Sequence, residues 1–216
     1  MLNSYRTFLK SGKSEIIEKK SRFIGSASFV DSEDKANEFI NSVRKSNNGA
    51  NHNVFAYRIE GPTVLERQSD DGEPSNTAGL PLLDVLRGER ILNGVIVVTR
   101  YFGGTLLGTG GLVRAYGKAA KECALDAVIV DKNLYACISI SVDYSLSGKV
   151  EYEVLKFGAV IADTVYTENV EFKVYIITCE SDKFIKDMTN LTGGKGGIIL
   201  NEPVYAAVVD GEFILM

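Results

Sequence analysis

The 216-residue chain has no tryptophan, one histidine, three cysteines and four prolines. A lone imidazole, His52, excludes a polyhistidine metal site and any mechanism that needs two imidazoles. Cys123, Cys137 and Cys179 are odd in number, far apart and never in a metal-type pair, so they read as reduced, buried thiols. No apolar run is long enough to cross a bilayer, and the first twenty residues hold no apolar core of signal-peptide length. A cytoplasmic protein without a membrane partner is the expectation. The formal net charge of -4 argues against a globally basic nucleic-acid binder, although a local basic face depends on distribution and not on the total. There is no Gly-x-Ser-x-Gly elbow, and no cysteine has an obvious partner base, so nucleophilic hydrolysis has no support. No cofactor is expected.

What the chain does have is a segment from Gly94 to Gly117, GVIVVTRYFGGTLLGTGGLVRAYG. Val95 to Val98 is a β-branched run of the kind that forms a strand buried on both faces. A loop with Gly103, Gly104, Gly108, Gly110 and Gly111 follows. Beyond it, Leu112, Val113, Tyr116, Ala119, Ala120 and Cys123 recur at helical spacing. Strand, glycine loop and helix suit anion binding, because a helix start presents free N–H groups. The loop lacks the Gly-Lys-Ser/Thr ending of a phosphate-binding P-loop and the usual dinucleotide spacing. Tight packing alone is the competing account of its glycines. Arg100 precedes the loop, and Arg114, Lys118 and Lys121 lie along one helix face at i, i+4, i+7, with Glu122 bordering them. Tyr101 is a candidate stacker beside Arg100, whereas Phe102 reads as core.

Read in order, Ser21–Val30 is a half-buried strand, and Asp31 or Ser32 caps a helix with Ala36, Phe39, Ile40 and Val43 on its buried side. Strands follow at residues 53–60 and 63–68. A polar loop from Ser69 to Gly79 carries Asp70, Asp71 and Glu73, and a helix through Leu82, Leu83, Val85 and Leu86 comes next. The acidic loop is a solvated turn on one reading. On the other it forms a pocket with His52 and Arg100, its carboxylates holding a divalent cation. Asp131-Lys132-Asn133 reads as polar punctuation between domains 1–132 and 133–216. The second part alternates as βαββαβ, the ferredoxin-like split βαβ order, with a helix stripe that includes Val150, Val154, Leu155 and Phe157.

Ser21-Arg22-Phe23-Ile24, Ser69-Asp70-Asp71-Gly72-Glu73-Pro74, Gly79-Leu80-Pro81-Leu82-Leu83 and the run from Val95 to Gly108 resemble the signature of the YigZ/IMPACT family over about residues 15 to 130. The resemblance implies an α/β (α+β) protein with an N-terminal ribosomal protein S5 domain-2-like domain and a ferredoxin-like C-terminal domain. That pair is similar to the last two domains of elongation factor G, which implies an RNA or ribosome surface. The eukaryotic relatives called IMPACT are translational regulators, implying a regulatory protein partner as well; no catalytic residues come with the resemblance, and no DNA specificity.

The expectation is a translation-modulating binding protein. Arg100, Arg114, Lys118 and Lys121 would meet phosphate, Tyr101 would stack, and Gly103, Gly104, Gly110 and Gly111 would lend backbone donors. Two alternatives stand beside it. One is an enzyme acting on a phosphorylated small molecule, with a metal held by Asp70, Asp71 and Glu73; the other is a protein–protein regulator.

Overall fold

The structure is a computed structural model and describes residues 2–216. The chain forms two compact units, Tyr5–Val130 and a second made of residues 2–4 with Asp131–Met216.

The first unit runs β1 (Ser4–Phe8), β2 (Gly12–Glu18), β3 (Ser21–Phe29), α1 (Glu33–Ser46), β4 (His52–Ile59), β5 (Leu65–Ser69), α2 (Gly79–Gly88), β6 (Gly94–Tyr101) and α3 (Thr109–Asp126). Its sheet has the order β2-β3-β6-β4-β5, with every neighbouring pair antiparallel. The β-branched run becomes the central strand β6. Ile96 and Val98 pack with Leu82, Leu86, Leu112 and Tyr116 of α2 and α3. Val95 and Val97 turn to the opposite face and pack with Ala36, Ile40 and Val43 of α1. Alternation sends successive side chains to opposite faces, so a strand covered by helices on both sides must be apolar throughout. Ser32 is the residue that caps α1, its hydroxyl accepting from the Lys35 N–H at 3.3 Å. Val113 departs from the expected stripe and is 41% exposed, because the α3 face that meets the sheet is set by Leu112, Ala115, Tyr116, Ala119 and Cys123.

The second unit runs β7 (Ile129–Val142), α4 (Tyr144–Lys156), β8 (Val160–Tyr166), β9 (Val170–Ile177), a 3-10 turn (Thr178–Glu180), α5 (Ser181–Thr192), β10 (Gly197–Val209) and β11 (Glu212–Leu215). The order β10-β7-β9-β8 places the first and third of its four strands at the centre, the ferredoxin-like arrangement, and β11 extends the β10 edge. Asp131-Lys132-Asn133 is not a polar break. It lies inside β7, where Asn133 pairs with Ala206 and the Lys132 ammonium sits 4.9 Å from the Tyr205 ring centroid. Strand pairing and cation–π contact thus carry polar residues that read locally as a turn. Leu155 is exposed, leaving Val150 and Val154 as the buried residues of α4. The register of β10 slips between Asn201 and Val204, around Pro203, which has no N–H to give the ladder. Cys123 and Cys137 are buried but Cys179 is exposed. No helix among the described residues is long and apolar enough to cross a membrane.

At the α2 end of the first unit, Glu66 accepts from Arg58 Nε at 2.8 Å and from Arg87 Nε at 3.0 Å. The Arg87 hydrogen bond, with that of Arg58, holds the Glu66 carboxyl below its ordinary range. A depressed carboxyl stabilises the fold above its unfolded pKa of about 4.3 and loses that contribution as pH falls through the lower folded value. Glu66→Gln is therefore expected to cost on the order of 1 kcal/mol at neutral pH, and the difference from the parent should vanish in acid. Urea midpoints measured from pH 7 down to pH 3 check this.

Candidate functional site

The site grows from the C-terminal end of β6. Strand register places Arg100 opposite His52 of β4 on one side and Phe23 of β3 on the other. Its side chain is only 6% exposed, and a guanidinium that deep needs an anion. Glu73 supplies it: Arg100 Nη1 donates to Glu73 Oε1 at 2.6 Å, and Nη2 donates to Ser21 Oγ at 3.3 Å. The guanidinium lies between the rings of Phe23 and Phe102, at 5.3 and 5.5 Å from their centroids. Its Nε is buried without a hydrogen-bond partner. The Tyr116 hydroxyl donates to the same Glu73 oxygen at 2.7 Å. Burial, followed by that hydrogen bond, pushes the Tyr116 phenol far above its ordinary value, so it stays a donor.

His52 joins the acidic loop to the sheet. Its Nδ1 lies 2.8 Å from the Asp71 carbonyl, which can only accept, so Nδ1 carries the proton and Nε2 faces Glu73 at 3.9 Å. The remaining carboxylates serve the loop itself. Asp71 accepts from the Asn53 N–H at 2.6 Å and meets Arg44 at 3.4 Å. Asp70 accepts from the backbone N–H groups of Asn76, Ala78 and Gly79, which fixes the entry to α2. Asp70, Asp71 and Glu73 thus point to three separate sets of partners and do not converge, and no group of acidic, histidine or cysteine residues among the described residues could hold a metal ion. The alternative in which these carboxylates hold a divalent cation finds no support in that geometry. Each carboxylate is already occupied by donors that the fold needs.

The acidic loop and the glycine loop meet. A cavity of about 470 Å³ is lined by His52, Glu73 and Arg100, by Phe102, Leu106 and Leu112, and by Gly108 and Thr109 at the start of α3. Phe102, expected in the core, is 45% exposed at its rim. Gly108, at φ 74°, caps α3 without a side chain, and the first bond of the turn is Leu112 N–H to the Gly108 carbonyl. The N–H groups of Thr109, Gly110 and Gly111 have no acceptor within the helix, which makes this end electropositive.

The glycines divide by role. Gly103 is pressed against the chain at Lys20 and its N–H donates to Ser21 Oγ at 3.2 Å, so it locks the loop onto the β2–β3 turn. Gly104 and Gly110 are open to solvent. Arg114, Lys118 and Lys121 are exposed along α3; among the described residues only Lys118 of the three has an ion-pair partner, Glu122 at 3.9 Å. Tyr101 is half-buried between the Arg22 guanidinium, 5.8 Å from its ring centroid, and Asn47, whose side-chain oxygen accepts from its hydroxyl at 3.4 Å. Arg100, expected at the phosphate, is instead neutralised by Glu73. Sequence reasoning missed Ser21 and Tyr116, which no local signal joins to Arg100 and Glu73 across 79 and 43 residues.

Fold and site together define a two-domain α/β protein with an S5 domain-2-like unit, a ferredoxin-like unit and a buried Arg–Glu–Tyr network under an open cavity. The Impact N-terminal domain matches residues 19–124, and a domain of unknown function, DUF1949, matches residues 140–195. The IMPACT family member YvyE of Bacillus subtilis (strain 168) is 42% identical over 205 residues, covering 95% of this chain and 94% of that one. The chain belongs to the IMPACT family. Protein IMPACT-B of Xenopus tropicalis is 35% identical over 105 residues, 46% of this chain and 32% of its own. A solved structure described as a hypothetical protein superposes with a TM-score of 0.60 at 27% identity, covering 94% of this chain and 99% of that chain.

Proposed function

We propose that this protein is a translation-regulatory binding protein that associates with RNA or the ribosome through the N-terminal end and exposed face of α3. The observation that carries the reading is the row Arg114, Lys118 and Lys121, three exposed cations beside a helix start whose N–H groups lack acceptors. Phosphate oxygens satisfy both the charges and the donors. Family membership supports the regulatory part, since the eukaryotic IMPACT relatives are translational regulators by the resemblance described above. Arg100 acts behind this surface: it fixes the glycine loop through Ser21 and Glu73 and touches no phosphate itself.

The test is co-sedimentation with ribosomes over a salt series, comparing the wild type with Arg114→Gln/Lys118→Gln/Lys121→Gln. Wild type should pellet at moderate salt and be lost as salt rises, and the variant should be lost at lower salt, because each phosphate contact contributes to the salt dependence. Wild type remaining in the supernatant at every salt concentration overturns the ribosome reading.

The cavity favours a second reading, an enzyme or sensor for a small anionic molecule with an apolar body. Its lining pairs Phe102, Leu106 and Leu112 with the start of α3. A thermal-shift screen of phosphorylated metabolites without added metal tests it, and stabilisation by one of them that is lost in Leu112→Glu would support it.

A further inference from the structure

The turn that joins β2 to β3 contains two residues, Lys19 and Lys20, between the paired residues Glu18 and Ser21. Both have left-handed backbone, at φ 45° and 68°. A two-residue hairpin with positive φ at both positions is a type I′ turn, for which Asn-Gly is the residue pair that sterics favour. Two lysines are a poor choice for this backbone, and nothing in the packing requires them, since both side chains are exposed. Neither has a carboxylate partner among the described residues. Their position is fixed all the same. A Cβ added to Gly103 would lie 2.0 Å from the Lys20 carbonyl carbon and oxygen, so the glycine loop seats directly on the back of the turn.

Beside the turn lies a depression of about 260 Å³ lined by Lys19, Glu18, Gly111, Arg114 and Lys118. The turn and α3 therefore share one surface, on which Lys19 faces Arg114 and Lys118 with Glu18 beside them. Lys20 is the exposed neighbour of Lys19 in the turn, and Lys121 is exposed further along α3. An Arg114 terminal nitrogen comes within 3.6 Å of where a Gly110 side chain would start, so a cation leans on the first turn of a helix. That end is already positive through the helix dipole, an unfavourable juxtaposition that an anion between them would reverse.

We infer that the Lys19-Lys20 turn is the second half of the α3 surface and grips the phosphodiester backbone of RNA, the turn and the helix holding phosphates on either side of the depression. This rests on the RNA reading above. The turn fixes the backbone positions from which both lysines project.

The experiment measures affinity for a fluorescein-labelled RNA hairpin of about 16 base pairs, the span that a double-stranded RNA module covers, by anisotropy across a salt series. Wild type is compared with Lys19→Asn/Lys20→Gly, which installs the favoured turn, with Lys19→Gln/Lys20→Gln, and with Lys149→Gln/Lys186→Gln, which removes the same charge from the C-terminal unit. The Asn-Gly variant should melt at a higher temperature than the wild type and yet bind RNA more weakly. In both turn variants the slope of log affinity against log salt should become shallower by roughly 0.9 per lysine, about 1.8 for the pair. The Lys149/Lys186 variant should keep the wild-type slope. Wild-type binding with an unchanged slope in the turn variants overturns the inference alone, as does an equal change in the C-terminal control. Absence of wild-type binding at low salt overturns the RNA reading and this inference with it.

Discussion

Arg100→Met is expected to lower the unfolding free energy of the N-terminal unit by about 3–5 kcal/mol, the range for removing one partner of a buried ion pair. The cost arises from what remains. Glu73 is 4% exposed on its side chain, and without Arg100 its carboxylate keeps the Tyr116 hydroxyl at 2.7 Å and a half-buried imidazole at 3.9 Å. The hydroxyl carries no charge and the imidazole nitrogen stands beyond hydrogen-bond distance, so neither replaces the guanidinium. Arg100→Met/Glu73→Gln removes both charges, fills much of the same volume and leaves an amide oxygen for Tyr116, so it should recover most of the loss. Urea unfolding followed by far-ultraviolet circular dichroism closes the double-mutant cycle. A single-variant cost below about 1 kcal/mol would mean that water in the adjoining cavity solvates the pair as a surface bridge is solvated. The same cycle bears on function: an unchanged salt slope of RNA binding in the double variant would show that Arg100 contacts no phosphate, whatever affinity is lost with the positioning of the glycine loop.

Gly103→Ala carries the second large effect. The added methyl would lie 2.0 Å from the Lys20 carbonyl carbon and oxygen and 2.5 Å from the Ser21 nitrogen, all backbone atoms that cannot swing aside. Overpacking of this kind costs about 1–3 kcal/mol and more where the backbone must move. Here the displaced element is the β2–β3 turn, so RNA affinity should fall together with stability. Gly110→Ala is the contrasting substitution. Its new methyl would meet nothing nearer than an Arg114 terminal nitrogen at 3.6 Å, and the position lies in the first turn of α3. It should raise stability by up to about 1 kcal/mol, the helix preference of alanine over glycine, and keep the backbone N–H in place. Thermal melting of the two variants, read with their RNA affinity, tests whether the glycine loop is one device or two. Equal losses in both would refute the division drawn from the geometry.

What the chain determined by itself is what short-range chemistry can encode. Val95 to Val98 announced a strand buried on both faces, because β-branched residues without polar alternation fit nothing else of that length. Asp31 or Ser32 followed by Glu33 and Asp34 announced a helix start, since capping and the dipole act within one turn, and the structure settles the cap on Ser32. The βαββαβ order of the second unit was legible for the same reason, each element carrying its own period. The exposed row Arg114, Lys118 and Lys121 also followed from helical spacing.

The tertiary structure alone decided which charges are free. In the sequence Arg100 has the acidic loop as one candidate partner and a phosphate as the other; strand register and the fold of that loop bring Glu73 to it, while no carboxylate among the described residues pairs with Arg114. It also decided that Asp70, Asp71 and Glu73 diverge, that Phe102 is at a cavity rim, that Asp131-Lys132-Asn133 continues a strand, and that Lys19-Lys20 stands beside α3. Each of these depends on contacts between segments far apart in the chain. Such contacts are selected by the cooperative packing of the whole unit, and no local pattern of residues reports them.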